Sequence, residues 1–398
     1  MSKKVYLDYA ATTPVDPAVF RAMSAFLKKD FGNPSSVHYF GQKAKSAVEE
    51  SRQKIAGFLG CSGEEVIFTG SATEANNLSI NGLLKGINGS QKNISKPHLI
   101  ISTIEHHAIF EPCLDLKKRG KVELDFLPVD GDGIVKINEL EKLVKPNTVL
   151  ISIIYANNEI GTIQPIAEIG KLIKRINEKR EFKIYFHTDA VQAVNFLDCN
   201  TDNLCVDMLT VSSHKIYGPK GAGALYIRKG TPVAPLILGG GQESGFRSGT
   251  ENVPGIVGFA EAVACIQDPR TKIKNIRIRQ LRDKLIKRVL KEIPDSQLIG
   301  SKTFRLPNNV NFNFKSAEGE AIVIALDQKG IAASTGSACS SKSLEPSHVL
   351  LALGLSEEEA HGSLRLTIGK YTTEEEINKV LKVLPPIIKR LREIAGVN

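Results

Sequence analysis

The strongest constraint on the fold is an alternation, between residues 64 and 240, of short apolar runs with longer amphipathic stretches. The apolar runs lie at residues 66–69, 98–103, 122–127, 148–154, 183–187, 207–211 and 222–227. Between two of them, the stretch 166–176 carries isoleucine at positions 166, 169, 173 and 176, which is helical spacing. Runs that are apolar on both faces are typical of parallel strands covered by helices. The pattern predicts an α/β domain with a mainly parallel, seven-stranded sheet between helices.

The pattern changes after about residue 260. This part of the chain contains long helical stretches, at 255–266, 270–292 and 373–395. They surround a few strand-like runs such as 309–314, which predicts a smaller α+β domain. We therefore divide the chain into a large domain, residues 16–259, and a small domain made of residues 1–15 and 260–398. Ligands of open α/β sheets bind at the carboxyl ends of strands, so functional residues are expected directly after the apolar runs.

Composition excludes several classes of protein. The chain is 42% hydrophobic and 24% charged, and it has no apolar run of the roughly 18 residues that a membrane helix needs. The N-terminus becomes acidic at Asp8 before any signal-like apolar region forms. The six cysteines include no CxxC pair and no zinc-ligand spacing, which predicts neither disulfides nor a metal in the free protein. A soluble cytoplasmic protein with no membrane partner is expected.

Much of the net charge of +9 lies in the stretch 272–291, which also carries apolar residues at Ile276, Leu281, Leu285 and Val289. The spacing predicts an amphipathic helix with a solvated basic face. A surface helix is the simpler interpretation, and docking of an acidic protein partner is the alternative. No aromatic–basic platform or reader motif accompanies the charge, so nucleic acid is not expected as a partner.

Lys215 is the first candidate for chemistry. It lies in the segment 212–221, directly after the apolar run 207–211 and before a Gly-Pro turn at 218–219. A lysine held by a constrained backbone at a strand end can form a Schiff base with an aldehyde cofactor. On this segment alone, a surface lysine is the default interpretation.

Three further features favour the cofactor interpretation. Residues 69–75 join a predicted strand to a helix through small and hydroxyl side chains, which leaves backbone N–H groups for a phosphate, although such a helix start is common. Asp189 ends a predicted strand and can keep a pyridine nitrogen protonated; a helix N-cap is its alternative role. His106 and His107 follow another strand, and adjacent side chains diverge, so at most one should face the site. We choose His106, stacked on the ring, with His107 beginning a helix.

Cys339 differs from the other cysteines in its surroundings. It lies in a run of small and polar residues, 333–343, that has little to bury and is expected to be mobile. A structural cysteine would instead have large apolar neighbours. A thiol on a mobile loop can visit a bound substrate and then a partner protein; the alternative is an accidental surface thiol.

The chain resembles the cysteine desulfurases of the NifS/IscS type, within the fold-type I (class V aminotransferase) group of pyridoxal-phosphate enzymes. The resemblance covers nearly the whole chain and is carried by ordered motifs: YLDYAATTP (6–14), FGNPSSVH (31–38), SATEANN (71–77), ANNEIGT (156–162), HTDAVQ (187–192), SSHKIYGPKG (212–221), GGGQESGFRSGT (239–250), STGSACSS (334–341), LEPSHVL (344–350) and LRLTIG (364–369). One departure is Lys370, where relatives often have arginine, and it touches no expected site residue.

The resemblance implies a role for each matching residue. Lys215 would carry the Schiff base, with Asp189 at the pyridinium nitrogen and His106 stacked on the ring. The other cofactor contacts would come from Gln192 and Asn157 at the phenolic oxygen and from Ala72, Thr73, Ser212 and His214 at the phosphate, with Ser213 as a further cofactor contact. Asn157 and Arg365 would bind the substrate, the arginine by gripping its carboxylate with two parallel hydrogen bonds. Thr250 would reach the phosphate of a neighbouring subunit, which implies a homodimer.

The reaction that the resemblance implies removes sulfur from L-cysteine and leaves L-alanine. Lys215 would remove the Cα proton, His106 would shuttle protons, and Cys339, as a thiolate, would take the sulfur as a persulfide. The 333–343 loop resembles the long form that delivers sulfur to iron–sulfur scaffold proteins. A scaffold is therefore the expected acceptor, with tRNA thiolation as another destination. Cys339 is also a candidate transient ligand of a nascent cluster.

Two other classes of function stay open on the sequence. A selenocysteine lyase, a cysteine sulfinate desulfinase or a small-amino-acid aminotransferase would share the fold without needing Cys339 for turnover of L-cysteine. A non-catalytic sulfur-trafficking or scaffold-binding protein would keep the fold without the cofactor.

Overall fold

The computed structural model describes residues 4–90, 94, 96–336 and 345–396. Within these residues the strands are, in chain order, β1 (Val5–Tyr6), β2 (Val66–Thr69), β3 (His98–Ser102), β4 (Glu123–Leu127), β5 (Thr148–Ser152), β6 (Tyr185–Asp189), β7 (Met208–Ser212), β8 (Gly223–Ile227), β9 (Ser296–Leu298), β10 (Asn309–Phe314), β11 (Ile331–Ala332) and β12 (Ser363–Thr367). The α-helices are α1 (Pro17–Lys28), α2 (Tyr39–Leu59), α3 (Ala72–Asn77), α4 (Leu83–Ser90), α5 (His107–Lys118), α6 (Ile137–Leu143), α7 (Ile166–Asn177), α8 (Thr201–Leu204), α9 (Val253–Gln267), α10 (Pro269–Glu292), α11 (Gly319–Gln328), α12 (His348–Ala352), α13 (Glu357–His361) and α14 (Glu374–Ile394).

A seven-stranded sheet organises the larger part of the chain. Its strand order is β2-β8-β7-β6-β5-β3-β4; the five strands from β7 to β4 run parallel, and β8 is antiparallel to both of its neighbours. Every residue of β3, β5, β6 and β7 is buried, as strands covered on both faces require. The predicted mainly parallel sheet between helices is confirmed.

The antiparallel β7–β8 pair creates a loop at the carboxyl edge of the parallel strands. Residues 213–222 connect the two strands, and they are too few for the helical crossover that a parallel pair needs, so the chain turns back. Lys215 lies in this loop. Gly223 opens β8 because a Cβ there would lie 2.8 Å from the carbonyl carbon of Ser71, at the start of α3. The lysine loop and the start of α3 therefore share one edge of the sheet.

Strand β6 lies two residues further along the chain than the run 183–187 predicts. Asp189 pairs with Thr210 in β7, whereas Lys183 stays outside the strand and forms an ion pair with Asp207 at 2.6 Å. Asp189 is thus the last residue of a buried strand, and its position is fixed by the sheet itself.

The rest of the chain forms two small sheets. Strands β9, β10 and β12 make an antiparallel sheet in the order β12-β10-β9, and β1 pairs in parallel with β11. These strands pack with α10, α11 and α14 into a buried cluster that includes Leu7, Ile278 and Phe312. The N-terminal strand therefore shares a core with residues near the C-terminus, while the proposed domain boundaries stay a prediction. Among the helices of the described ranges, none is long and apolar enough to span a membrane.

The basic helix α10 buries a different apolar stripe from the one that its sequence suggests. Ile276 is 60% exposed, whereas Ile278 is 1% exposed and lies with Leu281, Leu285 and Val289 on the buried face. Ile278 stands three residues before Leu281, which continues the spacing of one helix face, while position 276 is rotated away from that face. The placement of Ile276 on the apolar face is therefore wrong.

Replacement of Ile278 by alanine should lower the free energy of unfolding by about 2–5 kcal/mol, because it leaves a cavity in a closed core. Ile276→Ala is the matched control and should change the free energy of unfolding by less than about 0.5 kcal/mol. Urea unfolding followed by far-ultraviolet circular dichroism measures both. Equal losses for the two variants would contradict this orientation of α10.

Candidate active site

A cavity of about 280 Å³ opens at the carboxyl ends of the central strands. Of the residues singled out in the sequence, its wall brings together Ala72, Thr73, His106, Asp189, Gln192, His214, Lys215 and Arg365. Asn157, Ser212, Ser213 and Thr250, all within the described residues, are not part of this wall. The cavity lies where parallel α/β sheets place their ligands.

The side chain of Lys215 is fixed by the N-terminal segment. Its Nζ donates to the backbone carbonyl oxygens of Ala10 at 2.6 Å and of Ala11 at 2.7 Å. The Ala10 carbonyl also accepts from the Gln192 amide at 3.0 Å, and the Ala10 N–H donates to Thr367 Oγ1 at 2.9 Å. One short segment thus links the lysine to the end of β12 and to the residues after β6.

The same segment holds the backbone around the lysine. The Thr13 N–H donates to the His214 carbonyl at 3.0 Å, and Thr13 Oγ1 accepts from the Tyr217 N–H at 2.8 Å. Tyr217 has a φ of 69°, a left-handed conformation that is strained for a bulky side chain and persists only where contacts fix it. Asp16 adds another contact by donating its N–H to the Tyr217 carbonyl at 2.8 Å. The loop that presents Lys215 is therefore closely specified by its contacts.

Asp189 turns a buried carboxylate toward the cavity. Its Oδ2 accepts from Asn76 Nδ2 at 2.7 Å, and its Oδ1 accepts from the Val191 N–H at 3.0 Å. The bond to Val191 is the kind that an N-cap makes, but residues 191–196 form turns rather than a helix. Asp189 therefore provides a fixed negative charge in the cavity wall.

His106 and His107 both contribute to the cavity wall, so the expectation that at most one of them faces the site is wrong. His106 has an extended backbone and caps α5, with its Nδ1 accepting from the Ala108 N–H at 3.1 Å. His107 is the first helical residue, as expected. The ring centroids lie 6.4 Å apart at an angle of 72°. His106 and His107 therefore differ in backbone conformation although both line the cavity.

The histidines next to the reactive groups are neutral near pH 7. Burial lowers the pKa of His106, and a neutral ring that accepts at Nδ1 carries its proton on Nε2. Burial also lowers the pKa of His214 to about 4, with a further lowering from Lys215 and Lys220. The His214 Nδ1 shares a hydrogen bond with Thr12 Oγ1 at 3.1 Å.

The start of α3 forms one end of the cavity. The Ser71 hydroxyl caps the helix by accepting from the Glu74 N–H at 3.1 Å. Ala72 and Thr73 follow in the first turn and line the cavity. The Glu74 Oε1 accepts from Arg247 Nε at 2.8 Å, and its Oε2 accepts from the Gly70 N–H at 2.9 Å. Backbone N–H groups at such a helix start attract an anion.

Three predicted residues lie behind the wall. Asn157 is fully buried; its Oδ1 accepts from the Glu159 N–H at 2.8 Å, and its Nδ2 donates to the Ile104 carbonyl at 2.9 Å. It therefore shapes the loop that leads into the wall. Ser212 is the buried last residue of β7 and Ser213 is buried directly after it; Ser213 Oγ has no hydrogen-bond partner among the described residues.

Arg365 reaches the cavity from β12. Its Nη2 pairs with Asp8 Oδ1 at 2.9 Å, and its Nη1 donates to the Asn158 carbonyl at 3.1 Å. Its Nε is buried and has no hydrogen-bond partner within the described part of the chain. A buried donor without a partner costs free energy, and an acceptor in the cavity can remove that cost. Arg365 is thus prepared to bind a carboxylate.

The sequence analysis missed two buried acids in the wall, Glu105 and Glu159. Burial raises the pKa of Glu105 to about 8 and that of Glu159 to about 7. Ser347 donates its hydroxyl to Glu159 Oε2 at 2.6 Å. Glu105 directly precedes His106, and Glu159 lies in the motif at 156–162. Their positions next to predicted site residues are the signal that could have identified them. Their burial is a tertiary property that no local pattern carries.

The two remaining predicted residues are Cys339 and Thr250. Cys339 lies outside the described residues, in the gap 337–344, although Gly336 and His348 on either side of the gap line the cavity. Thr250 is exposed and lines a separate surface depression. Across the ranges that the structure describes, no group of three or more His, Cys, Asp or Glu side chains is placed to bind a metal ion.

Known proteins with similar sequences and structures fall into one family. Residues 5–380 match the family model for class-V aminotransferases. Over 396 residues the chain is 51% identical to the cysteine desulfurase IscS of Dictyoglomus turgidum, covering 99% of this chain and 97% of that protein. A solved structure named NifS-like protein matches with a TM-score of 0.87 at 37% identity, covering 99% of this chain and 100% of that one. A structure of SspA in complex with cysteine matches with a TM-score of 0.78 at 36% identity, covering 93% and 100%.

The chain belongs to the class-V aminotransferase family, and within it to the cysteine desulfurases of the NifS/IscS type. Members of this family depend on pyridoxal phosphate. The predicted family, the fold-type I architecture and the predicted class of enzyme are confirmed.

The His214 imidazole should stay neutral from about pH 8 down to about pH 5, because burial beside two lysines holds its pKa at about 4. Histidine-selective NMR of labelled protein follows the ring, and His214→Gln assigns its signal. The expected signal shows no titration in this range. An inflection near the ordinary histidine pKa would mean that the ring is solvated rather than packed against Thr12.

Proposed function

We propose that the protein is a pyridoxal-phosphate-dependent cysteine desulfurase that removes sulfur from L-cysteine, releases L-alanine and holds the sulfur as a persulfide on Cys339. One observation carries this proposal: Lys215, the Asp189 carboxylate and the incompletely paired Arg365 meet in a single cavity. The names of the relatives and the neighbour bound to cysteine support the same substrate.

The residues of the wall fit pyridoxal phosphate. The Lys215 amine suits the aldehyde, and the fixed charge of Asp189 suits a protonated ring nitrogen. The helix start at Ala72 and Thr73 suits the phosphate, and the neutral His106 ring suits stacking on the pyridine. When bound, the cofactor supplies an electron sink for negative charge at the substrate Cα. Further proposed contacts are Gln192 and His214 in the wall, and Asn157, Ser212 and Ser213 behind it.

Lys215 is the proposed base for the substrate Cα proton. The carbonyl groups of Ala10 and Ala11 accept from its amine and so can hold the amine at the cavity when it is not bonded elsewhere. His106, with its proton on Nε2, can pass a proton onward near neutral pH. Arg365 would hold the substrate carboxylate through Nε, with Asn157 shaping the adjoining loop.

Cys339 is the proposed sulfur acceptor. It follows Gly336, a wall residue, by three positions in the sequence. Its thiolate would form an S–S bond with the substrate sulfur as the Cβ–S bond breaks. The electron pair of the broken bond stays on carbon, where protonation gives L-alanine.

A homodimer with shared sites is part of the proposal. Thr250 is exposed and away from the cavity of its own chain, as a residue that serves the cavity of a second copy has to be. An exposed aromatic group adds support: Phe40 lies 5.8 Å from Phe31 and 5.6 Å from Tyr39 between ring centroids. Tyr39 is 71% exposed and Phe31 69%. Contiguous apolar surface of this kind usually marks an interface.

The proposed destinations of the sulfur are an iron–sulfur scaffold protein and, second, tRNA thiolation. The resemblance to IscS-type enzymes supports the scaffold, and a transient role of Cys339 as a cluster ligand belongs to the same proposal. We also propose a cytoplasmic location.

The function is tested with L-cysteine and a thiol reductant. Purified protein loaded with pyridoxal phosphate should release sulfide and L-alanine in equal amounts, and Cys339→Ala should lower the rate by about two orders of magnitude or more, because it removes the attacking nucleophile. Cys205→Ala is the matched control and should keep the wild-type rate, since that thiol lies at the end of α8, outside the cavity.

Two results would contradict the proposal. Full activity of Cys339→Ala would remove the persulfide step and favour a selenocysteine lyase, a sulfinate desulfinase or an aminotransferase. A protein that gains no visible absorption band with added pyridoxal phosphate would favour a non-catalytic sulfur-trafficking role.

A further inference from the structure

Glu105 has no role in the proposed reaction, yet it is fully buried and lines the cavity. Its Oε1 accepts from the Ser102 hydroxyl at 2.5 Å and from the Ile154 N–H at 2.8 Å, so both lone pairs of that oxygen are used. Its Oε2 is buried and has no hydrogen-bond partner in the described ranges. A buried acid that is fixed through one oxygen and unpaired at the other calls for a partner on the cavity side.

Asn76 shows the complementary feature. Its Nδ2 donates to Asp189 Oδ2 at 2.7 Å, while its Oδ1 is buried and lacks a hydrogen-bond partner among the residues described. Asn76 also lines the cavity. The amide can present its N–H to Asp189 only while Oδ1 points elsewhere, so a donor at Oδ1 would fix the amide in this orientation.

The surroundings of Glu105 favour its neutral form. Burial raises the pKa of Glu105 to about 8, the charge of Asp189 adds to the effect, and the donors Ser102 and Ile154 oppose it. Because Oε1 already accepts from two donors, the proton of the neutral acid resides on Oε2.

The other ionisable groups near Glu105 come from several elements. Cys113 of α5 interacts electrostatically with Glu105. His348 of α12 donates from Nε2 to the Glu105 carbonyl at 2.9 Å, and His106 follows directly in the chain. Lys215 and Arg365 share the cavity wall. Asp189 is the acid whose charge raises the pKa of Glu105, and it is also the acid that accepts a hydrogen bond from Asn76.

On the basis of the proposed cofactor site, we propose that Glu105 is a positioning residue: as a neutral acid it donates from Oε2 toward Asn76 Oδ1, and so fixes the amide that holds Asp189. An unpaired donor and an unpaired acceptor that line one cavity can satisfy each other directly or through one bridging water. Of Glu105, Asn76 and Asp189, only Asp189 then carries a negative charge, and its carboxylate stays oriented for the ring nitrogen of the cofactor.

The test measures the affinity of the cofactor-free protein for pyridoxal phosphate at neutral pH. Glu105→Ala should weaken binding about ten- to hundredfold, because the amide that orients Asp189 loses its donor. Glu105→Gln, which keeps an N–H donor, should stay within about threefold of the wild type. Asn76→Ala should weaken binding, and the double variant should be no weaker than the weaker single variant, because both act on one contact. Glu139→Gln, an exposed acid on α6, is the control.

Unfolding of the cofactor-free protein gives a second readout that does not depend on activity. The folded pKa of Glu105 lies above that of the unfolded chain, so its contribution to stability is complete below the unfolded pKa and is lost as the pH rises through about 8. The urea midpoint of the wild type should therefore fall between about pH 5 and pH 8 more steeply than that of Glu105→Gln, and the difference in slope should vanish above about pH 8. The midpoint of Glu139→Gln should follow the wild type.

The outcomes separate this inference from the proposed function. A wild-type protein that does not bind pyridoxal phosphate would overturn the proposed function itself. If the wild type binds pyridoxal phosphate, three results would overturn only the role of Glu105. These are unchanged affinity in Glu105→Ala, additive losses in the double variant, and equal losses in Glu105→Gln and Glu105→Ala. Identical pH profiles for the wild type and Glu105→Gln would do the same.

Discussion

Two hydrogen bonds from Lys215 Nζ to the carbonyl oxygens of Ala10 and Ala11 connect the parts of the structure on which the site depends. The lysine lies in the loop after β7 of the large sheet. The segment that holds it follows β1, which pairs with β11 in the C-terminal half of the chain. The same segment binds Thr367 at the end of β12, the strand that carries Arg365. A change in the packing of the N-terminal segment therefore alters the lysine and the arginine together. This shared dependence explains why a cavity can be built from residues that are more than 300 positions apart in the sequence.

The sheet supplies the rest of the geometry. The parallel strands end at one edge, where they leave Asp189, His106 and the start of α3 beside each other. The reversal of direction at β8 adds the loop that carries Lys215. Contacts with the N-terminal segment hold Tyr217 of that loop in its left-handed conformation. Burial then sets the charges: in the wall around the Asp189 carboxylate it raises the pKa of Glu105 and Glu159 and lowers the pKa of His106, His214 and His348. Fixed charges of this kind cost less reorganisation during a reaction than solvent would.

The sequence predicted those features that depend on local pattern. Strands β3, β5 and β7 are buried on both faces, and their runs stand out because aliphatic side chains dominate them. The order of strands, the reversed β8 and the shift of β6 depend on pairing between distant segments, which the period of one segment does not encode. Ile276 was placed on the wrong face because either of two isoleucines fits an imperfect helical period. Glu105 and Asn157 show the same limit at the site: their types were visible, but which polar side chain is buried and which lines a cavity is decided by the packing of neighbouring strands.

Lys215, held at the cavity by the N-terminal segment, is the amine that we propose bonds covalently to pyridoxal phosphate. Reduction of the loaded protein with borohydride, followed by proteolysis and mass spectrometry, locates that bond directly. The account predicts one pyridoxyl group on the peptide that contains Lys215, and no labelling there in Lys215→Ala. A label on another lysine such as the exposed Lys220, or no label on a protein that turns over L-cysteine, would contradict it.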